Sequence, residues 1–375
     1  MKERRKKKRR LNRKQVVWIE RASLAAAAIL VVAAVLRLSV FRNTPKSTDP
    51  SEAVRQEGGP ETEQRAELKS RYLFSFAGDC TIGSLLEWQG SLDTDFQSVV
   101  GEDYAYPLSG VRQIFEADDF TTVNLEGTFT RSSDAVEKPY RFRADPAYVR
   151  VLSEGGVEAV STANNHSRDF GEEGRRDTLD ALDSEGILHT DAGEPLICEL
   201  EGGLTIGIVS CNTVDSSAGE AAWRSGVMAD IDACKNAGCD LIFGFMHWGT
   251  VEYLTEPEAW EVQFAHDMAD WGCDLIVGGH AHILQRMEYW NDVPIFYSMG
   301  NFCYGGNTDP DDKDSVIVQA EYARDESRGG MVLSDLRVIP CEISSRKDQN
   351  DYRPVPCSEG TEDYERILEK LEWNS

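Results

Sequence analysis

Cysteine appears in none of the patterns that would give it a structural role. Nine cysteines are scattered over 375 residues. None forms a C-x-x-C pair and their number is odd, so neither a zinc ribbon nor a disulfide framework is indicated. Cys211, Cys239 and Cys273 stand in apolar runs and read as small buried hydrophobes, and the sequence selects no pair for a bridge. There is no internal repeat. Basic charge is scarce beyond the N-terminus: residues 1–42 hold 13 Lys/Arg against 2 Asp/Glu, and the other 333 residues hold 26 against 63. The overall charge of −26 therefore conceals +11 followed by −37. A body so acidic repels nucleic acid and other polyanions unless a metal or a local basic pocket intervenes, and no nucleic-acid partner is expected.

Long apolar runs are also scarce. The one that stands out is Ala22 to Leu36, 15 uncharged residues that are apolar but for Ser23. Widened to Trp18–Phe41, it reaches the roughly 20 residues that a membrane-crossing helix needs. Its charges, Glu20, Arg21 and Arg37, lie near the ends, where long side chains reach the interface. Val35-Leu36-Arg37-Leu38 offers no small-x-small cleavage site, which favours an uncleaved anchor over a cleaved signal peptide. The basic cluster Lys2 to Lys14 stays cytoplasmic, and everything after residue 42 is expected outside the cell membrane. Five segments follow: a basic tail at 1–17, a transmembrane signal anchor at 18–41, a flexible linker at 42–70, a main domain at 71–345, and a C-terminal segment at 346–375. The linker is rich in Pro, Ser, Thr, Glu, Gln and Gly, with little to bury.

The body alternates two kinds of stretch. Tyr72–Ala77, Phe120–Val123, Val157–Thr162, Leu204–Cys211, Asp240–Met246, Cys273–Val277 and Pro294–Ser298 are short, apolar and β-rich. Between several of them lie helix candidates at Leu108–Ala117, Pro146–Glu154, Glu172–Glu185, Val227–Ala237 and Pro257–Trp271. That rhythm predicts an α/β fold. Ser315–Tyr322 and Met331–Ile343 read as antiparallel strands, and Glu362–Trp373 as a closing helix.

The chemistry centres on Gly278-Gly279-His280-Ala281-His282, which follows the apolar run Cys273–Val277. The two glycines suggest that strand pairing has stopped, leaving two imidazoles on a loop at a strand's C-terminal end, where open α/β sheets place their sites. Other strand ends carry ligand-type groups as well: Asp79, Asn124 and Glu126, then Asn164, Asn165 and His166 with Asp169 beyond, His247 with Glu252 beyond, and Asn301. Each alone is a turn, cap or packing residue more often than a ligand. His189 and His266 fit that description. Five successive strands ending in carboxylate, amide and imidazole do not, and as ends of one parallel sheet they converge. Oxygen and nitrogen donors without thiolate suit divalent Mn, Zn, Fe or Mg. A carboxylate able to bridge, together with several imidazoles, is what a two-metal hydrolytic centre requires.

Six ordered motifs carry a family resemblance. They are Gly78-Asp79, Asn124-Leu125-Glu126, Ala163-Asn164-Asn165-His166, His247-Trp248-Gly249, Gly279-His280-Ala281-His282-Ile283-Leu284-Gln285 and Tyr297-Ser298-Met299-Gly300-Asn301-Phe302. Over Tyr72–Tyr304 the chain resembles the bacterial capsule-synthesis CapA family, which is associated with poly-γ-glutamate biosynthesis and related to calcineurin-like metallophosphatases. The resemblance implies a metallophosphatase-like layered α/β sandwich. It also implies metal ligands at Asp79, Glu126 (the bridging acid), Asn165, His247, His280 and His282, with His166 as the proton donor. Asp79 and Glu126 thus serve catalysis as well. Two departures stand out: Thr81 occupies the place where the phosphatase pattern wants His, and Asn-Leu-Glu replaces Gly-Asp. The spacing from His247 to Glu252 is also one residue longer than usual.

The leading expectation is a membrane-anchored extracellular protein supporting synthesis or export of an anionic capsule polymer, poly-γ-glutamate, through a metal site. Its partners would be the membrane, polymer-synthase membrane proteins, and an anionic polymer or phosphate-containing ligand. The alternatives are an extracellular metal-dependent phosphoesterase, or a non-catalytic scaffold of a synthase complex.

Overall fold

Side-chain alternation along the strands accounts for the layering. In Leu241–His247, Leu241, Phe243 and Phe245 enter one apolar cluster while Ile242 and Met246 enter another. Leu275–Gly279 divides in the same way, Leu275 and Val277 against Ile276. The period of two is that of a strand buried on both faces. The computed structural model that shows this describes residues 69–214 and 216–373. The tail, the anchor and nearly all of the linker expected from the sequence lie outside them. Among the described residues no helix is long and apolar enough to cross a membrane.

Two mixed sheets build the body. The eight-stranded sheet runs Val355–Pro356, Gly330–Glu342, Asp314–Asp325, Arg71–Thr81, Phe120–Leu125, Ala159–Ser161, Leu188–Thr190, with Asn301–Tyr304 paired onto Arg71–Thr81. The six-stranded sheet runs Leu284–Trp290, Val293–Met299, Leu275–Gly279, Leu241–His247, Leu204–Asn212, Leu196–Leu200. In the six-stranded sheet four neighbouring parallel strands are flanked on both sides by antiparallel ones. In the eight-stranded sheet the parallel set, Arg71–Thr81 to Leu188–Thr190 with Asn301–Tyr304, has antiparallel strands on one side and ends at the sheet edge on the other. The sequence reading of a single parallel sheet is therefore corrected: the ligand-type strand ends belong to two sheets. Apolar strands cannot reveal which sheet each joins, because the central strands of both sheets are buried on both faces.

Between the sheets lies a cluster rich in aromatic rings. Phe243 meets Phe74 at 4.9 Å and Phe76 at 5.1 Å between ring centroids, both edge-on. Rings of this size contribute about 2–3 kcal/mol each through burial, and edge-to-face packing fixes how the sheets sit on one another. The outer face of the first sheet is covered by Gly171–Glu185 and its neighbours through Leu152, Ala181 and Leu182. Glu220–Ala237 and Ala259–Asp270 cover the second through Val227, Ile231, Phe264 and Met268. A helix–sheet–sheet–helix sandwich results. The C-terminal residues join it: helix Glu362–Lys370 sends Ile367 into the inter-sheet cluster, as does Leu371 just beyond.

Two helices differ from expectation. Glu220–Ala237 begins seven residues before Val227, because Gly226 sits on an exposed face with open space around it and is tolerated there. Of Leu108–Ala117 just Arg112–Phe115 is helical. Gly110 lies against the carbonyl of Pro354, where a Cβ would approach to 2.3 Å, and that contact holds the preceding residues in turns. All nine cysteines are free, with Cys211 and Cys273 buried and Cys239 partly so.

Candidate metal centre

A bulge aims the first carboxylate. In Arg71–Thr81, Phe74 and Phe76 face the second sheet, so position 79 would by parity face the helices. The register against Phe120–Leu125 shifts between Ala77 and Asp79, placing one extra residue, Gly78, in the strand. Cys80 consequently turns to the helix side and Asp79 to the inter-sheet side. A Cβ on Gly78 would meet the carbonyl of Gly300 at 2.1 Å, so glycine is required there.

Parity also brings the second sheet's candidate ligand toward the first. His247 continues the inward series of Leu241, Phe243 and Phe245. Pairing with Leu275–Gly279 does not stop at the glycines as the sequence suggested: Met246 opposes Gly278 and His247 opposes Gly279. The glycines serve close approach instead. A Cβ at Gly279 would fall 2.4 Å from Asp79 Oδ1, and one at Gly278 would fall 2.2 Å from the carbonyl of Tyr297. Beyond them His280 (φ 87) and His282 (φ 59) adopt left-handed backbone, which costs a non-glycine residue about 1–3 kcal/mol. Hydrogen bonds hold both in place: the His280 N–H donates to Asp79 Oδ2 at 3.0 Å, and Asn301 Nδ2 donates to the His282 carbonyl at 3.1 Å.

The predicted residues converge. Single ligand atoms of Asp79, Glu126 and His247 lie within 4.8 Å of one another, and all three residues are buried. Two donors at about 2.1 Å on either side of an ion would stand about 4 Å apart. Around Glu126 stand His247 Nε2 at 3.5 Å, His282 Nδ1 at 3.9 Å and His166 Nε2 at 4.0 Å. His282 Nδ1 is 3.6 Å from Asp79 Oδ2. The His280 ring lies 5.1 Å from that of His247. Asn165 Oδ1 is 2.9 Å from His247 Nε2.

Three buried atoms in this group have no hydrogen-bond partner: Glu126 Oε1, Glu126 Oε2 and His280 Nδ1. Buried polar groups are satisfied in native proteins almost without exception, and an unpaired buried carboxylate is among the costliest violations. Carboxylate oxygens and imidazole nitrogens gather around this space, each neutral ring offering one lone pair, which suits a cation. Electrostatics agree. Burial, then Asp79, Glu252 and Asp169, push the Glu126 carboxyl well above its ordinary value. Burial and the neighbouring imidazoles hold His247 well below its usual range and His280 at about 3, so both are neutral and present lone pairs. The donor set fits a divalent metal ion of the Mn, Zn, Fe or Mg type.

His166 stands beside this group. Its Nδ1 pairs with Asp169 Oδ2 at 2.8 Å, and burial lowers its pKa while Asp169 opposes the shift. Several residues that support the centre were not assigned a role from sequence. Asn124 donates to Asp79 Oδ1 at 2.7 Å and accepts from Asn164 Nδ2 at 2.9 Å, so Asn-Leu-Glu orients one carboxylate and supplies another. Lys138 reaches Asp169 Oδ1 at 2.6 Å and the carbonyl of Asn165 at 2.8 Å. It lies in an irregular polar stretch that carries no periodic signal. Thr81 is buried with its hydroxyl unpartnered, and no imidazole replaces the one it lacks. Asn301, noted as a strand-end amide, accepts at 3.0 Å from His282 Nδ1. His189 and His266 lie elsewhere, paired with Asp183 and Glu288.

Comparison with known proteins bears on this geometry. Residues 73–305 match a family model described as a bacterial capsule synthesis protein. The PGA biosynthesis protein CapA of Bacillus subtilis is 31% identical over 268 residues, covering 65% of this chain and 66% of that one. The capsule biosynthesis protein CapA of Bacillus anthracis is 26% identical over 275 residues, covering 67% and 66%. A probable polyglutamine synthesis accessory protein of Mycobacterium tuberculosis is 29% identical over 265 residues, covering 63% and 67%. The chain thus spans 66% of the length of the two Bacillus relatives. Among solved structures, a Mycoplasma pneumoniae phosphatase superposes with a TM-score of 0.44 at 13% identity, covering 75% of this chain and 96% of that one.

Proposed function

The chain belongs to the bacterial capsule synthesis protein family, and from that premise we propose that it supports synthesis or export of an anionic glutamate polymer through a metal centre. The carrying observation is Glu126, a fully buried carboxyl with both oxygens unpartnered, facing Asp79 and three imidazoles. Asp79, Glu126, Asn165, His247, His280 and His282 would hold the ion. A divalent ion bound there would supply a Lewis acid and an acidified water.

The chain's own residues do the rest. Asn124 and the His280 N–H fix the Asp79 carboxylate from two sides. Asp169 holds His166 by Nδ1, leaving Nε2 to give or take a proton at a group bound over Glu126. Lys138 neutralises Asp169 and ties the Asn165 backbone to it. This pairing is the observation that favours a chemical role over a scaffold. From the basic cluster before the apolar run, the proposal places the protein in the cell membrane by a single N-terminal anchor with its body outside. The names of the relatives make polymer-synthase membrane proteins the natural partners.

The test is genetic and chemical together. Glu126→Gln and His166→Ala should abolish surface polymer while protein abundance and membrane location stay normal. Unchanged polymer in both variants, with loss on deleting the whole protein, would establish the scaffold. Turnover of simple phosphate esters that Glu126→Gln eliminates, with polymer intact, would establish a phosphoesterase. Protease added to intact cells should release the body by cutting within residues 43–70. A body protected until the membrane is opened would refute the proposed topology.

A further inference from the structure

A cleft of about 290 Å³ opens onto His166 and His282. Its wall is aromatic, formed by Trp88, Tyr140, Phe142, Tyr253 and Tyr304, with the carboxylate of Glu252 among them. No Lys or Arg is among the described residues that line it. Such a cleft is poorly suited to an anion that arrives without a metal, since an incoming phosphate or carboxylate would meet Glu252 and no cation. Aromatic faces and a carboxylate are the counterparts of a cation.

Two of the rings are exposed at the rim, and one of them is held there by its backbone. Tyr140 is 59% exposed and Tyr253 is 60% exposed. Tyr253 also stands at φ 61, a left-handed backbone that a non-glycine residue keeps just where its surroundings enforce it. The enforcing contact is its N–H, which donates to the carbonyl of Ala281 at 2.9 Å, between the two ligating histidines. The ring is thereby presented 6.2 Å from that of His282. Burial, then Glu252, Tyr140, Glu126 and Asp311, raise the pKa of the Tyr253 hydroxyl, which therefore stays neutral beside Glu252.

We propose that this cleft receives the primary ammonium group at the amino terminus of a peptide chain, with the ring faces and Glu252 as its counterparts. The terminus is thereby oriented beside His166 and the metal ligands. The inference rests on the reading of the centre as a metal site serving a glutamate polymer, and it names the end of the chain that the site engages. The volume takes the end of a peptide, and the reading of the centre as serving a glutamate polymer favours a peptide over an aminolipid as the source of the ammonium.

The test is calorimetric titration of the full-length protein, loaded with manganese, using γ-linked triglutamate with a free amino terminus and the same peptide N-acetylated. The free peptide should bind about tenfold more tightly. Glu252→Gln and Tyr140→Leu should each reduce that preference to about threefold or less, with metal content at the wild-type level by elemental analysis. Equal affinity for the two peptides, binding of neither, or variants that weaken both peptides alike would overturn the proposal. O-phosphoethanolamine competing better than triglutamate would also overturn it, by assigning the ammonium to a lipid headgroup. A wild-type protein that carries no metal yet prefers the free terminus would sink the metal reading and leave the cleft assignment supported.

Discussion

Replacing Glu126 by Gln should stabilise the metal-free protein and destabilise it relative to wild type once metal is present. Without a cation, Glu126 is a buried carboxyl with no hydrogen-bond partner, close to Asp79. Leaving such a group unsatisfied costs about 1–3 kcal/mol, and the amide removes the charge while keeping the shape. For a body of this size the gain corresponds to about 2 °C in Tm per kcal/mol. The pH dependence has a definite sign. The folded-state pKa is raised above the ordinary 4.5, so the native protein holds a proton that the unfolded chain releases. Stability is therefore greatest below about pH 4.5 as far as this group is concerned, and it falls as pH rises toward the folded value. The amide of the Glu126→Gln variant cannot titrate, and the variant should lose that slope. Manganese at about 100 times its Kd should add about 2.7 kcal/mol to wild type and far less to the variant, reversing their order. Thermal unfolding across pH 5–8, in chelator and then in excess manganese, measures all of this. A variant less stable than wild type in chelator, or equal stabilisation of both by manganese, would refute the reasoning.

Metal affinity should rise with pH by up to about tenfold per unit below the Glu126 pKa, since binding displaces its proton while His247 and His280 are already neutral; competition titration against a chelator at several pH values checks it. Thr81→His should raise the metal content per chain, because it restores the imidazole the motif lacks beside an unpartnered buried position; elemental analysis of the two proteins decides. Lys138→Met should cost about 3 kcal/mol in urea unfolding, because it leaves the fully buried Asp169 carboxylate without its counter-ion, with Oδ1 unpartnered while Oδ2 keeps His166 and the Phe142 N–H; a loss below about 0.5 kcal/mol would mean that the pair contributes as little as a surface bridge. Gly279→Ala should cut metal affinity at least about tenfold by driving the Asp79 carboxylate aside, and unchanged affinity in the same titration would mean that Asp79 is not a ligand.

The site was more legible in the sequence than the scaffold that assembles it. Asp79, Glu126, Asn165, His247, His280 and His282 stood among ligand-type side chains at strand ends, local features written within a few residues of each apolar run, and the family resemblance singled them out from neighbours such as Asn124, Asn164 and Asn301. The partition of the strands into two sheets was not legible, because strands buried on both faces all read as continuous apolar runs. The bulge at Gly78 was hidden for a related reason: parity across it is defined by the neighbouring strand, about 45 residues away in the chain. Gly278 and Gly279 were visible but misread, since a glycine that ends pairing and one that admits a neighbour's carboxylate look identical in one dimension. Lys138 left no trace, being one cation in a polar segment whose partners are set by the fold alone.

Because the candidate ligands come half from each sheet, the distance between them is governed by how one sheet slides on the other. Phe243, wedged against Phe74 and Phe76, acts as a detent in that sliding. Trimming it would let the layers shift by fractions of an ångström, and a coordination shell tolerates little such movement. Selection for tighter or looser ion binding could therefore act on residues that never see solvent, polymer or metal. Divergent relatives could retune the centre while every donor atom stays the same.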